Sequence, residues 1–259
     1  MNQRLKSSVV IALVTIAAIY FGGFVLKATL IFIGLYGSYE FIKIRKEKFN
    51  YFLYAVMAIS VMALLFLNEY ATVIMLLDII ALFVVGIFDE SESFSEISAT
   101  FLVSMMLGWA LYFIMYIQQM NKWMMGYVII ISYMCDSFAY LIGIKFGKHK
   151  LNSRISPKKT IEGSVGGWIC GAIISFIWAM VFNYFGRSPM QLAMTSLCLP
   201  LVSEIGDLAF SYIKRHYGVK DFSNLIPGHG GILDRLDSNI FCIILFGALL
   251  ILFKWKDWF

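Results

Sequence analysis

The sequence predicts an all-α protein that crosses a membrane about nine times. Of its 259 residues, 60% are hydrophobic and only 14% are charged, and the mean hydropathy is +0.79. Soluble domains are about 45–50% apolar. The apolar residues also fall into segments of about twenty, the length that a helix needs to cross the hydrocarbon core. Composition therefore excludes an ordinary soluble globular domain.

The apolar segments follow one another along the whole chain. They lie near residues 5–22, 24–43, 50–68, 70–88, 98–118, 123–146, 164–186, 190–213 and 238–255. The first segment resembles a signal peptide, but no A-x-A cleavage site follows it, so we interpret it as an uncleaved helix. Gly22 and Gly23 separate the first two segments and predict a tight turn.

The distribution of lysine and arginine predicts the orientation. With nine spans and an inner N-terminus, the 21 basic residues divide into 16 inside and 5 outside, as the positive-inside rule expects. Only the inner loop around Asp89 is acidic. The predicted location is the cell inner (plasma) membrane, with the N-terminus and the loops 147–163 and 214–237 in the cytoplasm, where nucleotides are found.

We expect two regions of unequal chemical content. Residues 1–120 predict about five transmembrane helices whose function the sequence specifies weakly, and residues 121–259 predict a catalytic transmembrane region that carries both loops. The four cysteines lie in apolar segments and form no CxxC pair, which indicates packing rather than metal binding or disulfides; they are Cys135, Cys170, Cys198 and Cys242.

The segment Ser211–Asp237 combines glycines, cations and carboxylates between two apolar stretches. Glycines such as Gly230 and Gly231 let backbone amides approach phosphate oxygens. Cationic donors for the same oxygens are Lys214, Arg215, Lys220 and Arg235. Carboxylates would repel a phosphate unless a divalent cation such as Mg²⁺ lies between them; they are Asp221, Asp234 and Asp237. A solvated charged loop is the alternative.

The earlier loop carries a second set of polar residues. Asp136 lies within the sixth span, where a charge costs about 2.5–3.5 kcal/mol and therefore needs a polar partner. Ser156 and Pro157 predict the start of the seventh helix, whose free amides attract anions. Lys158 and Lys159 would reinforce that attraction. Ordinary capping with interfacial lysines is the alternative.

Asp207 closes the polar end of the eighth span. Ser203 and Asp207 share a helix face, and Lys214 lies two turns beyond. A metal could be approached by Asp207 and Asp234, whereas an ion pair of Asp207 with Lys214 or Arg215 is the competing interpretation.

Three further features of the spans predict packing rather than chemistry. For Asp78 and Glu40, hydrogen bonding between helices is the expected role. The G-x-x-x-G patterns at Gly143 and Gly167 predict close helix packing.

These motifs together resemble a known family. The pattern S-x-I-K-R-x4-K-D-x-S-x2-I-P-x-H-G-G-I-x-D-R-L-D over residues 211–237 is similar to the signature of the CDP-diacylglycerol synthases, also called phosphatidate cytidylyltransferases. D-S-x-A-Y at Asp136, G-K-H-K at Gly147 and S-P-K-K-T-x-E-G at Ser156 resemble that family as well. The first 120 residues match only in being helical and apolar.

The resemblance implies an integral membrane nucleotidyltransferase of phospholipid biosynthesis. Such an enzyme joins phosphatidic acid to the CMP part of CTP, gives CDP-diacylglycerol and pyrophosphate, and requires Mg²⁺. It implies Asp207 and Asp234 as the first candidates for metal ligands, with Asp136 and Asp237 as second candidates. It also implies a homodimer in the lipid bilayer, and nothing indicates a nucleic-acid partner.

The resemblance also assigns roles to the remaining polar residues. Lys214, Arg215, Lys220 and Arg235 would hold phosphates of CTP or lipid, while Lys158 and Lys159 would serve the other substrate. His229 would contact a phosphate or the leaving group. The other candidates for substrate binding are Ser156, Thr160, Ser211, Asp221, Gly230 and Gly231.

Three other interpretations stay open. A related CTP-dependent lipid enzyme, such as a polyprenol kinase or an archaeal-type CDP-lipid synthase, would share a metal and a basic loop. A phosphatidyl-alcohol transferase would show a D-G-x-x-A-R run, which this sequence lacks. A transporter with a charged gating loop would have no reason to pair the glycines with Asp234 and Asp237.

Overall fold

The computed structural model describes residues 3–45, 49–182, 188–228 and 230–253. Within these ranges the chain forms nine α-helices, a short 3₁₀ turn at Asn68–Tyr70 and one two-stranded hairpin. The elements are α1 (Gln3–Phe21), α2 (Gly23–Arg45), α3 (Tyr51–Phe66), α4 (Ala71–Phe88), α5 (Phe94–Met120), α6 (Lys122–Phe146), β1 (Lys150–Asn152), β2 (Ser156–Thr160), α7 (Ile161–Phe182), α8 (Pro189–His216) and α9 (Leu233–Leu252).

The helices confirm an all-α polytopic membrane protein. Among the described residues, 7 helices are long and apolar enough to cross a membrane. The apolar part of α1, Val9–Phe21, and helix α3, Tyr51–Phe66, are shorter than that length. The predicted count of nine spans is therefore corrected: each predicted segment corresponds to a helix in the part of the chain that the structure describes, but two of these helices fall short of the span length.

The chain divides into two compact units. Unit 1 contains Met1–Tyr116 and Asp221–Arg235, and unit 2 contains Ile117–Lys220 and Leu236–Phe259. The segment Asp221–Arg235, which we call the signature loop, thus belongs with the N-terminal helices. The sequence predicts it as part of the region 121–259 because chain order alone says nothing about which helices it contacts.

The connection between α1 and α2 is as tight as the glycine pair predicts. Gly22 is the single residue between the two helices, and its φ of 59° and the φ of 45° at Gly23 lie in the left-handed region. Glycine adopts that region without steric penalty. The amide of Gly22 donates to the carbonyl of Ala18, which closes the last turn of α1.

Unit 1 contains a buried ionic group that explains the acidic loop after α4. Arg45, at the end of α2, donates through Nη2 to Glu92 and through Nε to Glu96, each at 2.6 Å. Asn50 donates to Asp89 and Glu92, each at 3.0 Å. The acidic residues therefore neutralise a buried arginine, which is a structural role unrelated to orientation in the membrane.

Within unit 1, Asp78 has the role that the sequence predicts. Ser60 of α3 donates to Asp78 of α4 at 2.5 Å, and both side chains are buried. The carboxylate therefore joins two helices.

Glycines on α7 allow the closest helix packing in unit 2. A Cβ at Gly163 would lie 2.6 Å from the carbonyl oxygen of Ala139, and one at Gly167 would lie 2.6 Å from that of Cys135. Both are shorter than any tolerated contact. The helices α6 and α7 therefore approach each other with backbone against backbone, as the G-x-x-x-G patterns predict.

The loop between α6 and α7 forms the hairpin of β1 and β2. The strands are antiparallel, with Lys150 opposite Thr160 and Asn152 opposite Ser156. The predicted helix start at Ser156 and Pro157 is wrong, because these residues belong to β2 and α7 begins at Ile161. Thr160 is the cap instead: its Oγ1 accepts from the amide of Gly163 at 3.1 Å.

Candidate functional site

Unit 2 gathers acidic and basic side chains from four separate elements. We call this group the carboxylate–lysine cluster; its members are Asp136 of α6, Lys159 of β2, Glu204, Asp207 and Lys214 of α8, and Asp237 of α9. Each side chain feels the charge of at least one other member. The hairpin brings Lys159 to the cluster, since β2 runs directly into the capped start of α7.

Lys159 and Asp207 form the closest ion pair of the cluster. The Nζ atom of Lys159 lies 2.6 Å from Oδ2 of Asp207, with side-chain exposures of 19% and 26%. Burial alone would lower the pKa of Lys159, but attraction to Asp207, with smaller contributions from Asp136 and Glu204, raises the pKa above its usual value. The lysine therefore carries its charge at neutral pH.

A second lysine lies against the start of α9. Nζ of Lys214 is 3.8 Å from Oδ2 of Asp237, with side-chain exposures of 9% and 16%. The sequence offers Lys214 or Arg215 as the ion-pair partner of Asp207, and both are wrong: Asp207 pairs with Lys159, which lies 48 positions before it in the printed sequence. Helix spacing predicts ion pairs between residues close in sequence, whereas the hairpin of β1 and β2 brings a distant lysine to Asp207.

Asp136 has the polar partner that its position in a span requires. The hydroxyl of Ser238 donates to its Oδ2 at 3.3 Å. Ser211 Oγ donates to Oδ1 of Asp207 at 3.5 Å, so serines on two helices orient two of the aspartates. The sequence predicts that Ser203 shares a helix face with Asp207. The hydroxyl of Ser203 instead donates to Ser132 of α6 at 3.1 Å.

The cluster carries more negative than positive groups. It contains four carboxylates and two ammonium groups, so the arrangement favours binding of a further cation. No group of three acidic, histidine or cysteine side chains among the described residues is placed to hold a metal by itself. This donor set fits Mg²⁺, which proteins hold with one or two carboxylates while substrate phosphates and water supply the other ligands.

Other predicted residues of unit 2 lie outside the cluster. Arg215 is exposed and donates to the carbonyl oxygens of Ile155 at 3.3 Å and Val219 at 2.8 Å. Ser156 is half-buried in β2, whereas Lys158 and Lys220 are exposed. Thr160 is buried, and its hydroxyl caps the start of α7.

Glu162 fixes the segment before the hairpin. Its carboxylate accepts from the amide of Lys148 at 3.0 Å and from that of His149 at 3.2 Å, and it lies 2.6 Å from Nδ1 of His149. These contacts join the segment before β1 to the first turn of α7, and they help to keep the hairpin that carries Lys159 in place.

In unit 1, Asp234 organises the signature loop from within. Its Oδ2 accepts from the amide of Phe222 at 2.7 Å and from that of Gly231 at 2.9 Å. A bridge between Ile226 and Gly230 closes the loop, and Gly230 has a φ of 81°. Because the Gly231 amide is engaged by Asp234, it is not directed at a phosphate in this conformation.

Glu40 of α2 holds the same loop from outside. Its carboxylate accepts from Ser223, Ile232 and Leu233. The expected hydrogen bond between helices is present, because Leu233 is the first residue of α9. The other two donors, Ser223 and Ile232, precede that helix, which the sequence did not predict. The only sequence signal was a carboxylate in an apolar span.

The remaining candidates of the signature loop are at the surface. Asp221 and Arg235 are exposed. His229 lies outside the described residues, so its predicted contact with a phosphate or leaving group stays a prediction.

The fold and the cluster define an integral membrane protein with a charged, partly buried polar site. The chain belongs to the cytidylyltransferase family, which matches residues 2–253. Three named phosphatidate cytidylyltransferases are similar to it. That of Staphylococcus aureus strain COL is 46% identical over 125 residues, that of Staphylococcus saprophyticus is 43% identical over 125 residues, and that of Bacillus subtilis strain 168 is 35% identical over 168 residues.

These similarities cover part of each protein. The matched segments are 48% of this chain and 48% of each of the two staphylococcal proteins, and 62% of this chain and 61% of the Bacillus protein. The chain thus spans about half to three fifths of the length of the curated relatives that it matches.

Proposed function

We propose that this protein is a phosphatidate cytidylyltransferase, which converts CTP and phosphatidic acid into CDP-diacylglycerol and pyrophosphate. Family membership and the names of the relatives support a cytidylyl transfer. The structural observation that carries the proposal is the cluster itself, in which Lys159 and Lys214 lie partly buried among carboxylates of α6, α8 and α9 rather than in free solvent. Such a site suits phosphates and the cation that accompanies them.

In the proposed reaction an oxygen of the lipid phosphate attacks the α-phosphorus of CTP. A new P–O bond forms while the bond from the α-phosphorus to the bridging oxygen of the β-phosphate breaks, and pyrophosphate leaves with those electrons. The lipid phosphate is already ionised near pH 7, so no protein base is required. The protein's task is to position both phosphates and to neutralise charge.

Lys159 and Lys214 would hold phosphate oxygens in this reaction. Lys159 contacts Asp207, and Asp207 in turn influences Asp237, which lies beside Lys214. This chain of contacts favours one shared phosphate cage over two separate basic clusters. The exposed Arg215 and Lys220 would then contribute by attraction at longer range, and the role of Arg235 in phosphate binding stays a prediction.

Mg²⁺ would supply neutralisation of the triphosphate charge when bound. Asp207 and Asp237 are the ligands that the cluster favours, and Asp136 is close enough to influence both. The sequence-based assignment of Asp234 stays a prediction, although its Oδ2 is engaged by two backbone amides.

Label transfer tests the proposal. Purified protein in lipid nanodiscs is given Mg²⁺, phosphatidic acid and CTP labelled at either the α- or the γ-phosphorus. We expect the α-label in the lipid fraction and the γ-label in pyrophosphate. Transfer of the γ-label to a lipid alcohol would indicate a kinase, preference for an archaeal ether-lipid phosphate would indicate the archaeal-type synthase, and no transfer with either label would contradict the proposal.

A further inference from the structure

Glu40 is a carboxylate with no solvent exposure in a part of the chain to which the sequence assigns no chemistry. It lies in α2, and its exposed fraction is 0%. A buried carboxylate is unfavourable unless hydrogen-bond donors surround it. The identity of those donors therefore shows what the residue does.

All three of its described donors belong to the signature loop and the start of α9. Oε1 accepts from the hydroxyl of Ser223 at 2.6 Å and from the amide of Ile232 at 2.9 Å, and Oε2 accepts from the amide of Leu233 at 2.9 Å. The partners lie 183 to 193 positions away in sequence. The free amides at the beginning of α9 are thus satisfied by a side chain from α2.

Glycine at position 231 is required by this contact. A Cβ there would lie 2.4 Å from Oε1 of Glu40, and that carboxylate oxygen is held by two donors, so it cannot move aside cheaply. Glu40 and Gly231 therefore form a matched pair, one supplying the acceptor and the other the space. This packing gives a structural reason for glycine at position 231, for which the sequence indicates only phosphate binding.

We infer that Glu40 is a positioning residue, which sets the conformation of the signature loop from helix α2. Two carboxylates hold the loop: Asp234 fixes Phe222 and Gly231 from inside, and Glu40 fixes Ser223, Ile232 and Leu233 from outside. The N-terminal helices consequently have a part in the reaction beyond anchoring the protein in the bilayer. The kinetic side of this inference rests on the proposed function, whereas the conformational side does not.

The main test compares Glu40→Gln with Asp78→Asn. Both remove the charge of a buried carboxylate in unit 1, but Asp78 contacts Ser60 and has no described bond to the loop. A glutamine must turn its NH₂ group toward at least one of the three donors. We expect faster hydrogen exchange at the amides of Ile232 and Leu233 in Glu40→Gln only, and kcat lower by about tenfold or more with little change in either KM.

A second pair of variants keeps the test decisive if Glu40→Gln does not fold. Ser223→Ala removes a single donor and should increase exchange in the loop to a smaller degree. Gly231→Ala should have a strongly reduced kcat. The double variant Gly231→Ala/Glu40→Asp should lose less kcat than the two single losses combined, because the shorter acid makes room for the new methyl group.

The outcomes separate this inference from the proposed function. Unchanged loop exchange in Glu40→Gln and in Ser223→Ala, or strict additivity of the Gly231 and Glu40 changes, would overturn it. Equal loop exchange in the Asp78→Asn and Glu40→Gln variants would reduce Glu40 to a general stabilising residue and would also overturn it. Altered loop exchange in a protein that transfers no cytidylyl group would support the inferred role of Glu40 in the loop conformation and contradict the proposed function.

Discussion

Lys159 of β2 and Asp207 of α8 lie 2.6 Å apart, so a small hairpin delivers a charged side chain to the polar end of a helix 48 positions later in the sequence. If this lysine holds a substrate phosphate, its replacement by a neutral residue should strongly reduce activity. We expect Lys159→Gln to lower kcat/KM by about ten- to a hundredfold, because a charge-assisted phosphate contact contributes about 1.5–3 kcal/mol.

The control for that substitution is Lys150→Gln. Lys150 is an exposed lysine of the same hairpin, on β1, and we expect near-normal kinetics. Steady-state assays with labelled CTP measure both variants. Equal losses at the two positions would assign the effect to net charge of the hairpin and contradict a specific role for Lys159.

Metal dependence should distinguish the carboxylates. Asp207→Asn and Asp237→Asn should lower turnover by orders of magnitude at limiting Mg²⁺ and recover in part when Mg²⁺ is raised, because each removes a ligand charge from the cluster. Asp234→Asn should instead loosen the signature loop, seen as faster exchange at the amides of Phe222 and Gly231. Normal turnover of Asp207→Asn at limiting Mg²⁺ would reject its assignment.

The kinetics of both substrates should decide between one phosphate cage and two. From the sequence we expect Lys214, Arg215 and Arg235 to serve CTP and the lysines of β2 to serve the lipid. The contacts of the cluster favour shared use instead, so Lys159→Gln and Lys214→Gln should raise the KM of both substrates together. Separate effects, each confined to one substrate, would restore the two-cluster interpretation.

Orientation in the membrane is testable by labelling. Removing α1 and α3 from the count of nine leaves an odd number of spans, so the predicted sides of the loops 147–163 and 214–237 and of the C-terminus are unchanged. The basic segment between α2 and α3, however, changes from the inner to the outer side. Cysteines introduced at positions 152 and 224 should react from the cytoplasmic side only, and a reporter fused after Phe259 should lie outside. A reporter in the cytoplasm would require an even number of spans, and the pair α1 and α2 would be reassigned first.

Close packing of α6 against α7 predicts a sharp contrast between two glycines. Gly167→Ala would place a Cβ 2.6 Å from the carbonyl oxygen of Cys135, whereas a Cβ at Gly126 meets nothing within 4 Å. We expect Gly167→Ala to lose about 1–3 kcal/mol of stability. Gly126→Ala should be neutral or slightly stabilising. Thermal unfolding in detergent compares them, and similar midpoints for both variants would contradict the packing.

Several features of this protein follow from local composition alone. Hydropathy over about twenty residues located the nine α-helices of the described residues, because spanning a bilayer requires a continuous apolar segment. The Gly22–Gly23 turn and the packing glycines of α7 follow from backbone sterics, which each residue carries with it. The signature between Ser211 and Asp237 indicated the family for the same reason, since its glycines, cations and carboxylates are adjacent in the chain.

Which of these groups come into contact depends on how the helices pack. Helix spacing suggested Lys214 or Arg215 for Asp207, but the partner is Lys159, because the hairpin of β1 and β2 folds back where a helix start was expected. Glu40 contacts Ile232 across 192 positions, a pairing that no local pattern specifies. A buried charge is stabilised by whichever donor the fold brings within about 3 Å, and that choice is made by helix packing rather than by sequence distance.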